Sequence, residues 1–319
     1  MSQKICVVSF DHWGYDKYIV NTLNSLKHVS HHIKIDGYKH ANISDRLTNT
    51  ISKIFTGKNL KKRRRQEYIV EELDKIGYQD QILVINPELI DLDFHLKIKK
   101  RTSKYIAYLY DSLERCPIEH LLDGVFDEIF SFDTNNINNF GFKGITNYIY
   151  LPQNRSPQNI IYDAVYIGSY DDRFQQLLKM AKILKDKNLK YKFIIIGKPK
   201  HINPLKKLHS DYIDFDSKKI KQKDVLQLYN SSEVIVDLVR EQQAGLSFRF
   251  FEALALNKKV ITNNKNVINY QFYTKNNIAL TNNIPVDFFS KHYKPIPDEI
   301  YHKYTLKNWV TTVFNLETN

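Results

Sequence analysis

One feature constrains the fold of this chain more than any other: short apolar runs recur, each followed by a polar loop and then a segment of helical periodicity. Residues 4–10, 33–36, 81–86, 105–110, 128–132 and 145–151 read as one series of strands. Residues 164–167, 191–196, 212–215, 234–238 and 259–262 read as a second series. Helical periodicity covers 15–26, 41–76 with a break near Gly57, 93–100, 173–185, 223–230 and 305–314, where Thr305 is the N-cap. Strands that alternate with helices indicate a parallel, doubly wound sheet. The stretch from Pro152 to Asn159 is polar, holds two prolines and has no periodicity, so it divides the chain. The expected fold class is α/β, with two Rossmann-like doubly wound domains facing a cleft. The first spans 1–152, the second 160–304, and 305–319 forms a closing helix. In such sheets ligands bind at the carboxyl ends of the strands, so the functional residues are expected there.

Composition narrows the class. With 319 residues, 42% hydrophobic and 13% aromatic, the chain can bury a large core. The apolar run from Ile5 to Val8 is too short for a secretory h-region, and no stretch reaches the roughly 18 apolar residues of a membrane span. Two cysteines, Cys6 and Cys116, make neither a disulfide framework nor a metal cluster. A cytoplasmic protein is expected. The net charge of +12 favours anionic partners: phosphorylated small molecules, acidic lipid or nucleic acid.

The second half carries the most informative stretch, residues 242–255. It runs from a strand through a loop with Gly245 and Ser247 into a helix. A loop that opens a helix presents unpaired backbone N–H groups and the positive end of a dipole, which suits a phosphate. Arg249 and Glu252 lie three apart and share a face. Arg240, at the end of the preceding strand, and Arg249 suit bidentate phosphate contacts, while Ser247, Gly245 and Leu246 add donors. The bland alternative is an ordinary Gly-started helix that packs through Phe248, Phe251 and Ala255. A second loop, Gly168-Ser169-Tyr170-Asp171-Asp172-Arg173, follows the first strand of this half. Its glycine permits close approach of a ligand. Arg173 at a helix start points to a phosphate or to a paired acid such as Asp172; a local surface pair is the competing reading.

The first half offers acid and base groups and a cationic run. Asp11 and His12 follow the first strand and suit a general base toward an acceptor hydroxyl. Asp111 and Asp133 end two further strands and compete for that role; turn capping is the alternative for each. Lys58, Lys61, Lys62, Arg63, Arg64 and Arg65 form a basic patch for an anionic membrane surface or acceptor. Pairing with Glu67, as by Arg63, offsets part of that charge. Asp91-Leu92-Asp93 and Asp214-Phe215-Asp216 are two Asp-x-Asp segments that could hold magnesium together with substrate phosphates, and there is no Walker A loop or Cys/His metal spacing.

Taken together, residues 244–255, the strand 259–262, the loop from Val165 to Ser169 and the two-half layout resemble the GT-B glycosyltransferases. The likeness is to bacterial enzymes of lipopolysaccharide or capsule assembly with a glycosyltransferase-1-like C-terminal domain. The resemblance implies transfer of a sugar from a nucleotide-sugar, which is a co-substrate and not a cofactor, to a glycan or glycolipid acceptor. It implies a site without metal, a peripheral place on the inner membrane face, and no nucleic-acid partner. Many retaining members carry two glutamates eight positions apart. Glu252 matches the second, which binds the nucleotide ribose; Ala244 stands at the first. An inverting reaction would draw its base from the first half, from Asp11 or His12. A non-catalytic nucleotide-sugar-binding protein, an epimerase-like enzyme and a basic nucleic-acid binder are the alternatives.

Overall fold

The computed structural model describes residues 1–11, 13–38, 60–153, 159–241 and 243–317. His12, Lys58, Gln242, the helical expectation for 41–59 and most of the expected break at 152–159 lie outside the described residues. The chain forms two compact units: Met1–Ile145 together with Trp309–Asn319, and Thr146–Asn308.

The first unit holds β1 (Lys4–Ser9), β2 (Val29–Lys34), β3 (Gln79–Ile85), β4 (Thr102–Leu109), β5 (Glu128–Ser131) and β6 (Lys143–Gly144), ordered β2-β1-β3-β4-β5-β6. Each neighbouring pair is parallel. Parallel strands need crossovers, and α1 (Asp16–Ser25), α2 (Leu60–Ile76), α3 (Leu92–Lys99) and α4 (Thr134–Phe140) lie in the connections. On one face Cys6, Val8, Ile82, Val84, Tyr105 and Ala107 pack with Ile69 and Leu73 of α2 and Phe94 and Ile98 of α3. The chain lays β2 on one side of β1 and β3 on the other. Such a reversal opens a crevice at the carboxyl ends of β1 and β3.

The second unit holds β7 (Tyr162–Ser169), β8 (Tyr191–Ile196), β9 (Asp214–Asp216), β10 (Ser232–Asp237), β11 (Lys259–Thr262) and β12 (Ile278–Leu280), all in parallel pairs. The order β12-β11-β10-β7-β8-β9 is the dinucleotide-fold order read from its far edge, with the reversal between β7 and β10. Strands buried on both faces read as continuous apolar runs. Val165, Ile167 and Ile235 therefore meet Phe250 and Phe251 on one side. Ala164, Tyr166, Val234 and Val236 meet Leu177 and Ala181 on the other. Its helices are α5 (Phe174–Asp186), α6 (Pro199–His209), α7 (Gln222–Asn230), α8 (Phe248–Ala255) and α9 (Asp298–Lys303); α10 (Leu306–Val313) begins in this unit and runs on into the segment that belongs to the first.

The structure departs from the sequence expectation in several elements. Residues 145–151 are not a strand of the first sheet. Tyr148 packs edge-on against Phe248 with ring centroids 5.0 Å apart, and Ile149 joins the second unit's core. The apolar alternation there serves packing and one isolated bridge, Ile149 to Thr305. Helices α4, α6 and α9 and strand β12 have no counterpart in the sequence reading. Their signals were present: Asp133 caps α4 by accepting the N–H groups of Asn135 and Asn136, and Pro199 sits in the first turn of α6. Thr305 acts as expected, its Oγ1 accepting from the Asn308 N–H at 3.4 Å.

The chain's end completes the first unit. Trp309, 3% exposed, packs edge-on against Tyr108 at 5.0 Å between centroids, and the Phe314 carbonyl accepts from Gln81 Nε2 at 2.7 Å. Removing a buried indole costs about 3–5 kcal/mol. Trp309→Ala is therefore expected to lower the urea midpoint of the first unit's transition by that amount in free energy, measured by denaturation followed by far-UV circular dichroism. A loss below about 1 kcal/mol would show that the terminal segment is not part of that unit's core.

Candidate functional site

The reversal between β7 and β10 brings together loops some seventy positions apart in the chain. Asp237, the last residue of β10, is fully buried. Its Oδ1 accepts from Ser247 Oγ at 2.8 Å and from Arg249 Nη1 at 2.8 Å. Arg249 Nη2 donates to the Ile167 carbonyl of β7 at 2.8 Å, and its guanidinium lies over the Tyr166 ring at 5.0 Å. Burial works against the Arg249 charge, but Tyr229, Asp237 and Tyr166 outweigh it and hold the guanidinium above its ordinary range. The arginine is charged at every accessible pH.

A second carboxylate organises the other two arginines. Asp171 accepts from Arg173 Nε at 2.8 Å and Nη2 at 2.6 Å, a bidentate pair. It also accepts from Arg240 Nη2 at 2.7 Å. Arg173 Nη1 reaches the Leu238 carbonyl at 2.7 Å, tying the loop after β7 to the end of β10. Burial alone would raise the Asp171 pKa; the two guanidinium groups pull it below the ordinary carboxylate range. The acid that pairs with Arg173 is thus Asp171. Asp172 stands 3.9 Å from Arg240 Nε with a side chain 67% exposed. Three arginines thus meet Asp171 and Asp237 at close range, with Asp172 at the exposed edge of the cluster.

The loop before α8 turns its carbonyls toward the protein. Asn264 Nδ2 donates to the Ala244 and Gly245 carbonyls, both at 3.1 Å, and Asn266 Nδ2 to Ala244 at 3.1 Å. Asn147 Nδ2 holds the Leu246 carbonyl at 2.9 Å. Among the described residues the N–H groups of Gly245, Leu246 and Ser247 have no acceptor. Ser247 caps α8 in an extended conformation, so these donors precede the positive end of the helix. Helix α8 forms because Phe250, Phe251, Ala253, Leu254 and Ala255 are all buried. Its Glu252, 4% exposed, accepts from the Tyr150 hydroxyl, which accepts from Gln222 Nε2 at 2.8 Å.

Gly168 has a local reason for being glycine. An added Cβ would stand 2.4 Å from the Tyr166 hydroxyl, the ring that supports Arg249. Ser169 closes β7 beside it.

The first unit gathers a titratable group at the end of β1. Asp11, in the left-handed region at φ 47°, accepts the Asp16 N–H at 3.0 Å and faces Lys34 Nζ at 3.1 Å. Asp16, 1% exposed, accepts from the Tyr110 hydroxyl. Ser9 Oγ pairs with His32 Nε2 at 2.9 Å. Asp111 and Asp133 have capping roles: Asp111 accepts the Ser112 N–H at 3.1 Å and pairs with Arg115, and Asp133 caps α4. The basic run lies on α2. Arg63 pairs with Glu67 at 2.9 Å, Lys62 with Asp91 at 2.5 Å, and Arg64 donates to the Tyr38 hydroxyl at 3.0 Å. Asp214 pairs with Lys192 at 2.5 Å and Asp216 accepts the Lys218 N–H at 2.9 Å. Among the described residues no group of three or more His, Cys, Asp or Glu stands together as metal ligands. Nor is any described helix long and apolar enough to cross a membrane.

Sequence reasoning did not single out Asp237, Tyr166, the Asn264 and Asn266 amides, Tyr150 or Asp16. Asp237 had a usable signal, an acid that ends the buried run from Ser232. The others are set by contacts between distant segments.

Burial pushes the Asp16 carboxyl up to about 6 from an ordinary 3.8, against the hydrogen bonds of Ser9 and Tyr110. A raised folded value means that the fold favours the protonated acid. This contribution is whole below about pH 4 and is lost as pH rises through about 6. Asp16→Asn is expected to be more stable than the natural chain by on the order of 2–3 kcal/mol at pH 8, with the gap closing by pH 4. Chemical denaturation across that range measures it; a gap that did not change with pH would sink the assignment.

No family model matches the sequence, and no curated protein matches it. Solved structures do. A glycosyltransferase from Rickettsia africae ESF-5 aligns with TM-score 0.58 at 12% identity, covering 99% of this chain and 97% of that one. AviGT4, a glycosyltransferase involved in avilamycin A biosynthesis, aligns with TM-score 0.59 at 10% identity over 98% and 96%. An α-glucosyltransferase in complex with UDP and a 13-mer DNA containing an HMU base aligns with TM-score 0.59 at 13% identity over 98% and 96%. At these identities the likeness is one of fold, and it extends over nearly the whole of each chain. The two six-stranded parallel sheets with flanking helices are the GT-B glycosyltransferase fold.

Proposed function

We propose that this protein is a glycosyltransferase that moves a sugar from a nucleotide-sugar to a glycan or glycolipid acceptor in lipopolysaccharide or capsule synthesis. The observation that carries the reading is the convergence at the β7–β10 reversal of Arg173, Arg240 and Arg249 with the N–H groups of Gly245, Leu246 and Ser247. A diphosphate leaving group gains negative charge as the glycosidic bond breaks. Fixed cations and dipoles placed before the reaction stabilise that charge without reorganisation. They replace a metal in this proposal. Asp171 and Asp237 hold the arginines in place, so little side-chain entropy is lost when the donor binds. Arg240, with a side chain 27% exposed, is the least enclosed of the three and is assigned the direct phosphate contact. Gly168 and Ser169 line the same reversal, and Glu252 is assigned to the ribose hydroxyls. Asp11 and His12 remain the proposed acceptor-side base. The α-glucosyltransferase bound to UDP, and a trehalose-6-phosphate structure from E. coli bound with UDP-2-fluoro glucose, support a nucleotide-sugar as donor.

Arg240→Ala is expected to weaken nucleotide-sugar binding by about ten- to a hundredfold, the worth of a charged hydrogen bond. Calorimetric titration over a panel of nucleotide-sugars measures this. Arg249→Ala is expected to lower both affinity and melting temperature, because it leaves Asp237 buried and unpaired. Unchanged donor affinity in both variants would reject the phosphate assignment. Donor hydrolysis or transfer separates an enzyme from a binding protein of the same fold.

The basic run of α2 supports a peripheral place on an anionic inner membrane surface, each cation adding on the order of 1 kcal/mol near such a surface. Charge reversal at Lys61, Arg63 and Arg64 is expected to abolish sedimentation with anionic liposomes. A nucleic-acid acceptor is the competing reading, since an α-glucosyltransferase of this fold was solved with DNA and the net charge is +12. In the same assay, oligonucleotide binding with a steep salt dependence and no liposome binding would favour it.

A further inference from the structure

A pocket of about 170 Å³ lies in the first unit, lined by Phe10, Ile35, Leu89, Lys61, Lys62, Arg65 and Gln66. Its position is informative. Phe10 follows β1, Ile35 follows β2, and Leu89 lies just beyond β3. It therefore sits at the carboxyl ends of the strands where this sheet reverses direction, the place where open α/β sheets bind ligands.

Its two walls differ in chemistry. Phe10, Ile35 and Leu89 make an apolar side. Helix α2 supplies the other, with Lys61 and Arg65 one turn apart on the same face. Among the described residues no carboxylate lines the pocket. Lys62 is held by Asp91 at 2.5 Å, and Gln66 fixes the same aspartate through its Nε2 at 2.9 Å. These contacts set the wall but leave Arg65 out. Among the described residues Arg65 has no hydrogen-bond or ion-pair partner, and its Nε is buried. A buried charged donor without an acceptor costs more than a kcal/mol or so, a cost that an anionic ligand removes.

We infer that this pocket binds a phosphate ester with a short apolar stem, the phosphate meeting Arg65 and Lys61 and the stem lying against Phe10, Ile35 and Leu89. The volume is below the roughly 300–1,000 Å³ of sites that enclose a drug-sized molecule. It suits one phosphate and a few carbons, and not a nucleotide-sugar. The role of that ligand as the acceptor's anchor rests on the transferase reading above; the binding itself does not.

The test uses the full chain and hexyl phosphate, with inorganic phosphate, glucose 6-phosphate and hexanol as comparison probes, by calorimetric titration. Hexyl phosphate is expected to bind at least tenfold more tightly than each of the other three. Arg65→Gln is expected to weaken it at least tenfold while leaving nucleotide-sugar affinity unchanged. Leu89→Ser is expected to reduce the preference for hexyl over inorganic phosphate. Vesicles of neutral lipid doped with dodecyl phosphate are expected to compete with hexyl phosphate, as a lipid-borne ester would. Equal binding of inorganic phosphate or glucose 6-phosphate would overturn the apolar half of the proposal. An unaltered affinity in Arg65→Gln would overturn the anionic half. Donor binding in the same titrations reports on the transferase reading separately, so either can fail alone.

Discussion

A buried carboxylate at the end of β10 holds the second unit's site together. Asp237 is fully enclosed, and an unpaired charge there would cost several kcal/mol. Arg249 and Ser247 meet it from the first turn of α8, and Arg249 continues to the Ile167 carbonyl of β7. One ion pair thus fixes a helix start, a strand end and the neighbouring strand. The cations around the loop follow from it. Arg173 and Arg240 share Asp171 across the same reversal, and the Asn264 and Asn266 amides take the loop carbonyls. A helix beginning normally repels cations; here acidic partners hold them in place.

The two units solve one problem in different ways. Each has six parallel strands with a single reversal, and each gathers charge at the strand ends next to it. In the second unit the charge is that of three arginines paired with Asp171, Asp172 and Asp237. In the first it is mixed, with Asp11, Asp16, His32 and Lys34 close together and the basic face of α2 beside Phe10 and Ile35. Burial raises Asp16, whereas Asp11 lies against Lys34. Two acids five residues apart are thus placed in unlike environments. Both carboxyls are buried, and the contrast lies in their partners: the Lys34 ammonium for Asp11 and the Tyr110 hydroxyl for Asp16.

Much of the architecture was legible. Apolar runs such as 164–167 and 234–238 read as strands because both faces of a parallel sheet are buried, and no polar alternation interrupts them. The reading failed where an apolar pattern served another purpose. Residues 145–151 alternate like a strand, yet Tyr148 and Ile149 pack against α8 and the second core. Elements with brief signals also escape it: the three residues of β12, and α4, whose cap Asp133 reads in the sequence as a turn cap or an acid without revealing the helix behind it.

For the site, the sequence by itself determined the residue types at the strand ends: arginines and a glycine–serine loop after one strand, and an arginine and acids after another. These follow chain order, which periodicity and turn chemistry reveal. Only the tertiary structure decided which acid each arginine meets. Arg173 takes Asp171 and not Asp172; Arg249 takes Asp237, twelve positions earlier, and Gly168 makes room for Tyr166. The reason is physical. Crossing over between β7 and β10 places the loops that follow these two strands, some seventy positions apart, within hydrogen-bonding distance, and a linear pattern carries no record of that distance.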